Sequence, residues 1–303
     1  MRVAFFGTPA AAVPVLRAVH DAGHEIVLVV TQPERRRGRG AATQPSPVHA
    51  AAEELTLPVR TPARAREVAD DLTAAGVEAG VVAAFGQLLP APVLLAVPLG
   101  LVNLHLSLLP RWRGAAPVER AILAGDPETG VSIMRIDAGL DTGPVYRSVA
   151  TPIGAEETAG ELTDRLVALG TPVLLDVLAD LPNLEPAPQR GEPTYAEKLT
   201  VEEFHLDPSR PPAELARLVR AGNPRPGAWM VVDGKRVKVL AAHPEAGGAS
   251  PGPPFDVVWP GAALRTVSGR LVLDQVQVEG RRPVSGDAWL AGYRRRRLAL
   301  PVA

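Results

Sequence analysis

"RVAFFGTPAAAVPVLRAVHDAGHEIVLVVTQ", residues 2–32, decides the fold. It opens with an apolar run of strand length, "RVAFFG", passes through a helical pattern, "AAAVPVLRAVHDAG", that ends at Gly23, and returns to a strand, "EIVLVVTQ". Strands that stay apolar along their whole length need cover on both faces, which is the situation in a parallel sheet. The alternation continues outward from there. "AREVADDLTAAG" reads as a helix closing at Gly76, "AGVVAAFG", "GLVNLHL" and "GVSIMRID" as strands, and "APVERAILAG" as a helix between the last two. The pattern predicts the α/β class: a parallel-rich twisted sheet covered by helices, with ligands bound beyond the carboxyl ends of its strands.

A long helical stretch, "EETAGELTDRLVALGTPVLLDVLADL", closes this part, and the proline-rich "PNLEPAPQRGEPT" after it reads as a linker. Beyond the linker the pattern changes. "PAELARLVRAG" reads as one helix; "AWMVVDGKRVKVLAA" then reads as a hairpin turning at Asp233-Gly234, and "AALRTVSGRLVLDQVQV" repeats that logic around Ser268-Gly269. Short strands with tight turns predict a small C-terminal barrel. The expected division is therefore residues 1–181, a linker at 182–206, and a second domain at 207–303, which suits a chain of 303 residues.

The formal net charge of −1 hides an asymmetry: residues 204–303 carry 15 Lys and Arg against 8 Asp and Glu, whereas residues 1–203 carry 17 against 25. A basic C-terminal third is what a polyanion-binding module needs, although a solvated basic surface without a partner has the same composition. There is no cysteine, so no disulfide framework or thiolate metal site is available, and the six histidines are too scattered to suggest a metal site. "GTPAAA" lacks the three-glycine dinucleotide fingerprint and "RGRGAAT" does not lie between a strand and a helix, which argues against a nicotinamide or flavin. The first apolar run is interrupted by Gly7 and Pro9 and no segment reaches membrane-spanning length, so the expectation is a soluble, cytoplasmic protein with no membrane association.

The chemistry concentrates in "NLHLSLLPRWRGAAP", residues 103–117. On a strand, residues two apart share a face, so Asn103 and His105 project to one side and Leu104 and Leu106 to the other. An amide N–H suits a carbonyl oxygen that becomes an oxyanion, and an imidazole carries a proton near neutral pH; together they fit acyl transfer through a tetrahedral intermediate. Taken alone, the pair also fits a histidine hydrogen-bonded for structure. The loop "DAGLDTGPV" sets Asp141 between two glycines, where a carboxylate can orient an imidazole, or where an Asx turn can form. Ser107 has no nucleophile elbow around it, so a Ser-His-Asp reading has little support.

These residues carry a resemblance. "NLHLSLLPRWRGAAP" together with "DAGLDTGPV" resembles the formyltransferases that use 10-formyltetrahydrofolate, and "FFGTP", "RGRGAATQPSPV", "AFGQLLP", "NPRPGAW" and "VQVEGRRPVSGDAWLAGYR" extend the likeness, in order, over nearly the whole chain to the members that act on methionyl-tRNA. The resemblance implies a Rossmann-like N-terminal formyltransferase domain and a small C-terminal OB-like β-barrel that helps to hold tRNA. It implies Asn103, His105 and Asp141 as the catalytic trio, and a folate site lined by Ser107, Leu108, Leu109 and Pro110, with Phe85, Gln87, Leu88 and Leu89 nearby. It further implies 10-formyltetrahydrofolate as donor, initiator methionyl-tRNA as acceptor, and no metal. The loop at residues 33–47 would meet the acceptor end of the tRNA through Arg35, Arg36, Arg37 and Arg39. A monomer is expected, because two domains can meet both ligands within one chain. Two positions depart from the family pattern: Leu106 stands where a small residue or proline is usual, and Arg225 where an aromatic is usual.

Three other readings compete. A formyltransferase for a small amine, or a hydrolase of the formylated folate, keeps the chemistry and changes the acceptor. An RNA-binding module needs no catalytic trio, and a nucleotide-binding regulator leaves both the trio and the C-terminal charge unexplained.

Overall fold

Residues 2–32 form a βαβ unit in the computed structural model, with β1 (Arg2–Gly7), α1 (Val13–Asp21) and β2 (Glu25–Val30), the two strands parallel. The helix starts later than its pattern suggested: Ala10–Ala12 form a 3-10 turn and Pro14 takes one of the first helical positions. There its fixed φ and missing N–H cost nothing. The structure describes residues 1–36, 43–245, 256–258, 261–293 and 297–299.

Five more strands complete the sheet: β3 (Val59–Arg60), β4 (Ala79–Ala83), β5 (Leu101–His105), β6 (Glu128–Arg135) and β7 (Val145–Pro152), in the order β7-β6-β5-β4-β1-β2-β3. The five strands from β1 to β5 run parallel, each flanked only by its neighbours in that order, while β6 is antiparallel to β5 and β7 to β6. Strand β7 is absent from the sequence reading. Its residues are all exposed or half-buried and none is buried, so it has the weak apolar pattern of an edge strand. It returns antiparallel because residues 136–144 are fewer than the dozen or so that a parallel crossover requires. Every residue of β4 and all but the first of β1 are buried, as two-sided cover demands. Helices α2 (Pro47–Glu54), α3 (Ala69–Ala74), α4 (Ala91–Leu95), α5 (Pro117–Ala124) and α6 (Ala159–Ala179) follow the strands. One core cluster joins Ala4, Phe6, Leu28 and Val30 with Leu72, Phe85, Val93 and Leu101.

By its contacts the chain divides into two units, the first made of Met1–Pro117, Glu128–Pro152 and Thr163–Glu197, the second of Val118–Pro127, Ile153–Leu162 and Lys198–Ala303. Residues 182–197, read as linker, therefore fold with the sheet: Ala187 exchanges both backbone hydrogen bonds with Val145, and Tyr195–Ala196 pair in parallel with Arg113–Gly114.

The second unit is strand-rich. Helix α7 (Pro212–Ala221) buries Leu215, Leu218 and Val219 at helical spacing. The strands β8 (Ala228–Val232), β9 (Lys235–Glu245), β10 (Asp256–Val258), β11 (Ala263–Thr266), β12 (Gly269–Val278), β13 (Val284–Ser285) and β14 (Arg297–Ala299) form an antiparallel sheet in the order β8-β9-β12-β11-β10-β14, with β13 paired to β12. Both expected hairpins are present. Asp233 and Gly234 carry φ of 47° and 72° between β8 and β9, the paired positive values that a two-residue type I′ turn requires. Helix α8 (Gly286–Ala291) starts from Ser285, whose hydroxyl accepts from Ala288 N.

Candidate active site

Strand β5 carries Asn103 and His105 to the carboxyl end of the sheet, the end at which ligands of such sheets bind. Register fixes their facing: Asn103 lies opposite Val82 on one side and Met134 on the other, and His105 opposite Ser132. The Asn103 side chain is half-buried and makes no hydrogen bond to the described residues, so its amide is available to a ligand.

His105 is buried and held through Nε2. Nε2 lies 2.9 Å from the Trp112 carbonyl, which only accepts, so Nε2 carries a hydrogen, and in the tautomer without a second one Nδ1 holds the lone pair. Nδ1 faces Asp141 Oδ2 at 3.7 Å, with side-chain exposures of 6% and 18%. Asp141 has φ of 51°, a left-handed conformation that Asp tolerates better than most residues, and its Oδ2 accepts the Gly114 N–H at 2.8 Å. Gly114 has φ of 118°, and a Cβ there would stand 2.8 Å from the Ala196 carbonyl oxygen, so only glycine fits. The trio expected from the sequence is brought together.

The segment "SLLP" is pinned rather than open at its first residue. Ser107 is fully buried; its hydroxyl donates to Arg111 O at 2.6 Å and its carbonyl accepts from Ser132 Oγ at 2.8 Å, which in turn accepts from Leu109 N at 3.1 Å. Leu108, Leu109 and Pro110 are half-buried, and the Leu109-Pro110 bond is cis. In "FGQLL", Phe85 and Leu89 are core side chains, with Phe85 edge-on to Phe6 at 5.5 Å. The Phe85 carbonyl accepts from Thr8 Oγ1 at 3.0 Å and Gln32 Nε2 at 2.9 Å, and Gln87 Oε1 accepts from Ala65 N at 2.8 Å. Leu88, 73% exposed, is the one side chain of the five in "FGQLL" that presents a large free apolar surface. Of the arginines, Arg37 and Arg39 lie outside the described residues, while the backbones of Arg35 and Arg36 pair with Gln44 and Thr43.

Sequence reading missed the residues that support His105 and Asp141, directly or through one another: Trp112, Arg113, Gly114, Gln189 and Thr194. Their partners are many positions away, Gln189 bonding to Asp141 and Arg113 and Thr194 to Trp112, so no local pattern reveals them.

The site can therefore present a neutral N–H donor to a carbonyl oxygen, a lone-pair imidazole nitrogen to a proton, and a carboxylate to the charge that imidazole gains. The formyl transferase family matches residues 1–178, and the family of formyl transferase C-terminal domains matches residues 198–294. The chain is similar to the methionyl-tRNA formyltransferase of Thermus thermophilus, 50% identical over 295 residues with 97% of this chain and 96% of that protein covered. It is likewise similar to that of Cereibacter sphaeroides, 47% identical over 306 residues with both chains covered in full. Among solved structures, an N-formyltransferase from Helicobacter canadensis in complex with folinic acid and dTDP-3-aminofucose shares the fold with a TM-score of 0.67 at 17% identity, covering 90% of this chain and 98% of its own.

Proposed function

Since the chain belongs to the formyl transferase family and transfers a formyl group from 10-formyltetrahydrofolate to methionyl-tRNA, we propose that Asn103, His105 and Asp141 carry out the transfer. The observation that carries this assignment is the facing of His105 Nδ1 and the Asp141 carboxylate, with the Asn103 amide making no hydrogen bond among the described residues. The α-amine of the methionine, in its neutral form, attacks the formyl carbon. Asn103 donates to the formyl oxygen as it becomes anionic, and His105 Nδ1 accepts the proton that the amine loses. Asp141 balances the resulting imidazolium. The tetrahedral intermediate collapses as the imidazolium returns its proton to the departing folate nitrogen, giving the formamide and tetrahydrofolate.

The folate packs along Leu108, Leu109, Pro110 and Leu88, with Ser107, Phe85, Gln87 and Leu89 fixing the loops from behind. The methionyl-tRNA is the initiator, and Arg35, Arg36, Arg37 and Arg39 contact its phosphates together with the basic residues 207–303, while residues 1–181 carry the chemistry. Among the described residues no helix is long and apolar enough to cross a membrane; a cytoplasmic monomer fits both ligands.

The test is a formylation assay with purified protein, 10-formyltetrahydrofolate and methionyl initiator tRNA, beside a control without tRNA. Formylmethionine that depends on tRNA is expected, with Asn103→Ala lowering turnover on the order of 10²–10³. Asn103→Ala at wild-type turnover sinks the assignment, and folate hydrolysis without tRNA moves the activity to a hydrolase.

A further inference from the structure

The segment after α6 does more than connect. Thr194 Oγ1 accepts the Trp112 N–H at 2.9 Å, Thr194 O accepts from Arg113 N at 2.9 Å, and Ala196 O accepts from Ala115 N at 2.8 Å. Between these contacts and the Ala187 bridge to Val145, one side chain reaches inward. Gln189 Nε2 donates to both Asp141 O and Gly143 O at 2.8 Å each, and its Oε1 accepts from Arg113 Nε and Nη2 at 3.0 and 2.7 Å. Both amide hydrogens and both oxygen lone pairs are therefore engaged, two on the 140–143 loop and two on the loop that follows β5.

We propose that Gln189 is a positioning residue for Asp141, clamping the 140–143 loop to Arg113 so that the carboxylate stands against His105. The inference rests on the assignment of Asp141 to catalysis. The loop needs such a clamp because Asp141 sits at a positive φ, which the chain does not favour unaided, and among the described residues its carboxylate accepts one hydrogen bond, from Gly114 N–H, while facing the imidazole at 3.7 Å. Gly114 belongs to the strand pair with Tyr195–Ala196, so the same segment fixes both the donor that Oδ2 meets and the loop that delivers Oδ2. Other side chains do not substitute. Alanine leaves Asp141 O, Gly143 O and the Arg113 fork without this partner, and glutamate keeps the Arg113 contact but turns a carboxylate toward two carbonyl oxygens.

Two variants, Gln189→Ala and the isosteric Gln189→Glu, are compared with wild type for kcat, for KM toward methionyl-tRNA and 10-formyltetrahydrofolate, for melting temperature, and for the Gly114 amide proton shift in the ligand-free protein. Both variants are expected to lose kcat on the order of 10- to 100-fold, the scale of a misplaced catalytic group, with KM close to wild type, a melting temperature lowered by the lost hydrogen bonds, and the Gly114 amide proton moved upfield as Oδ2 withdraws. A wild-type kcat in either variant, an unmoved Gly114 proton, or kcat and KM changing together overturns the inference. The amide shift requires no turnover, and Asp141→Asn is assayed alongside. If Asp141→Asn retains wild-type kcat, the assignment of Asp141 fails; if it is impaired while the Gln189 variants are not, the clamp alone fails.

Discussion

Asp141 is the residue at which charge and backbone conformation can be separated. Asparagine tolerates the same left-handed conformation, and its amide oxygen can accept from Gly114 N, so Asp141→Asn keeps the loop in place while removing the charge opposite His105. Turnover should fall on the order of 10²–10⁴, the contribution of a correctly charged acid-base group, with KM for both substrates near wild type. Steady-state kinetics on the two proteins decide it, and an unchanged kcat removes the charge from the mechanism. Asn103 and His105 were legible because strand alternation places residues two apart on one face whatever the tertiary context. Asp141 was legible as a carboxylate between glycines. The tautomer of His105 was not, since it depends on a carbonyl of a loop that folds back from Trp112, and Gln189 was not, since a glutamine in a proline-rich stretch looks like linker.

At the scale of elements, local chemistry fixes where helices begin more firmly than periodicity does. Ser46 precedes α2; its buried hydroxyl accepts from His49 N at 3.0 Å and shares a 2.7 Å hydrogen bond with Thr31, which is fully buried beyond the end of β2. Ser46→Ala removes a helix cap, worth about 0.5–2 kcal/mol, and also leaves the Thr31 hydroxyl without this bond in the interior, so the cost should reach the upper part of that range. Urea unfolding reads it as a lower midpoint at an unchanged slope; a midpoint shift below about 0.5 kcal/mol in free energy contradicts the double role. The same contrast explains the element reading. Strands β1, β2, β4 and β5 were legible because two-sided burial writes an apolar run into the sequence, whereas β7 is an edge strand and β3 has two residues, too few to show a period. Helix α3 was expected from the start of its pattern, but Ala65–Val68 wind as a 3-10 turn before Ala69–Ala74.

At the scale of the molecule, the proposed reading assigns the chemistry to the acidic residues 1–203 and tRNA binding to the basic residues 204–303. A folate carries only the carboxylates of its glutamate tail and buries an apolar ring system, whereas tRNA presents a line of phosphates, so the two affinities should differ in their response to salt. With about four phosphate contacts, each contributing a slope of roughly −0.7 to −0.9 in log K against log salt, a fourfold rise from about 50 to 200 mM should weaken tRNA binding roughly 50- to 150-fold. The KM for 10-formyltetrahydrofolate should change much less over the same range, as a contact inside a protein site is screened less than one on an exposed surface. Arg39→Ala in the 33–47 loop should reduce the slope by about one contact without altering the folate KM. Filter binding with methionyl initiator tRNA across a salt series measures both slopes. A flat response would mean that the 15 basic residues of positions 204–303 are a solvated surface, and that tRNA is selected by shape alone. A steep response that persists in Arg39→Ala would place the phosphate contacts on that C-terminal third and leave the loop to the acceptor end's bases, where contacts carry little salt dependence.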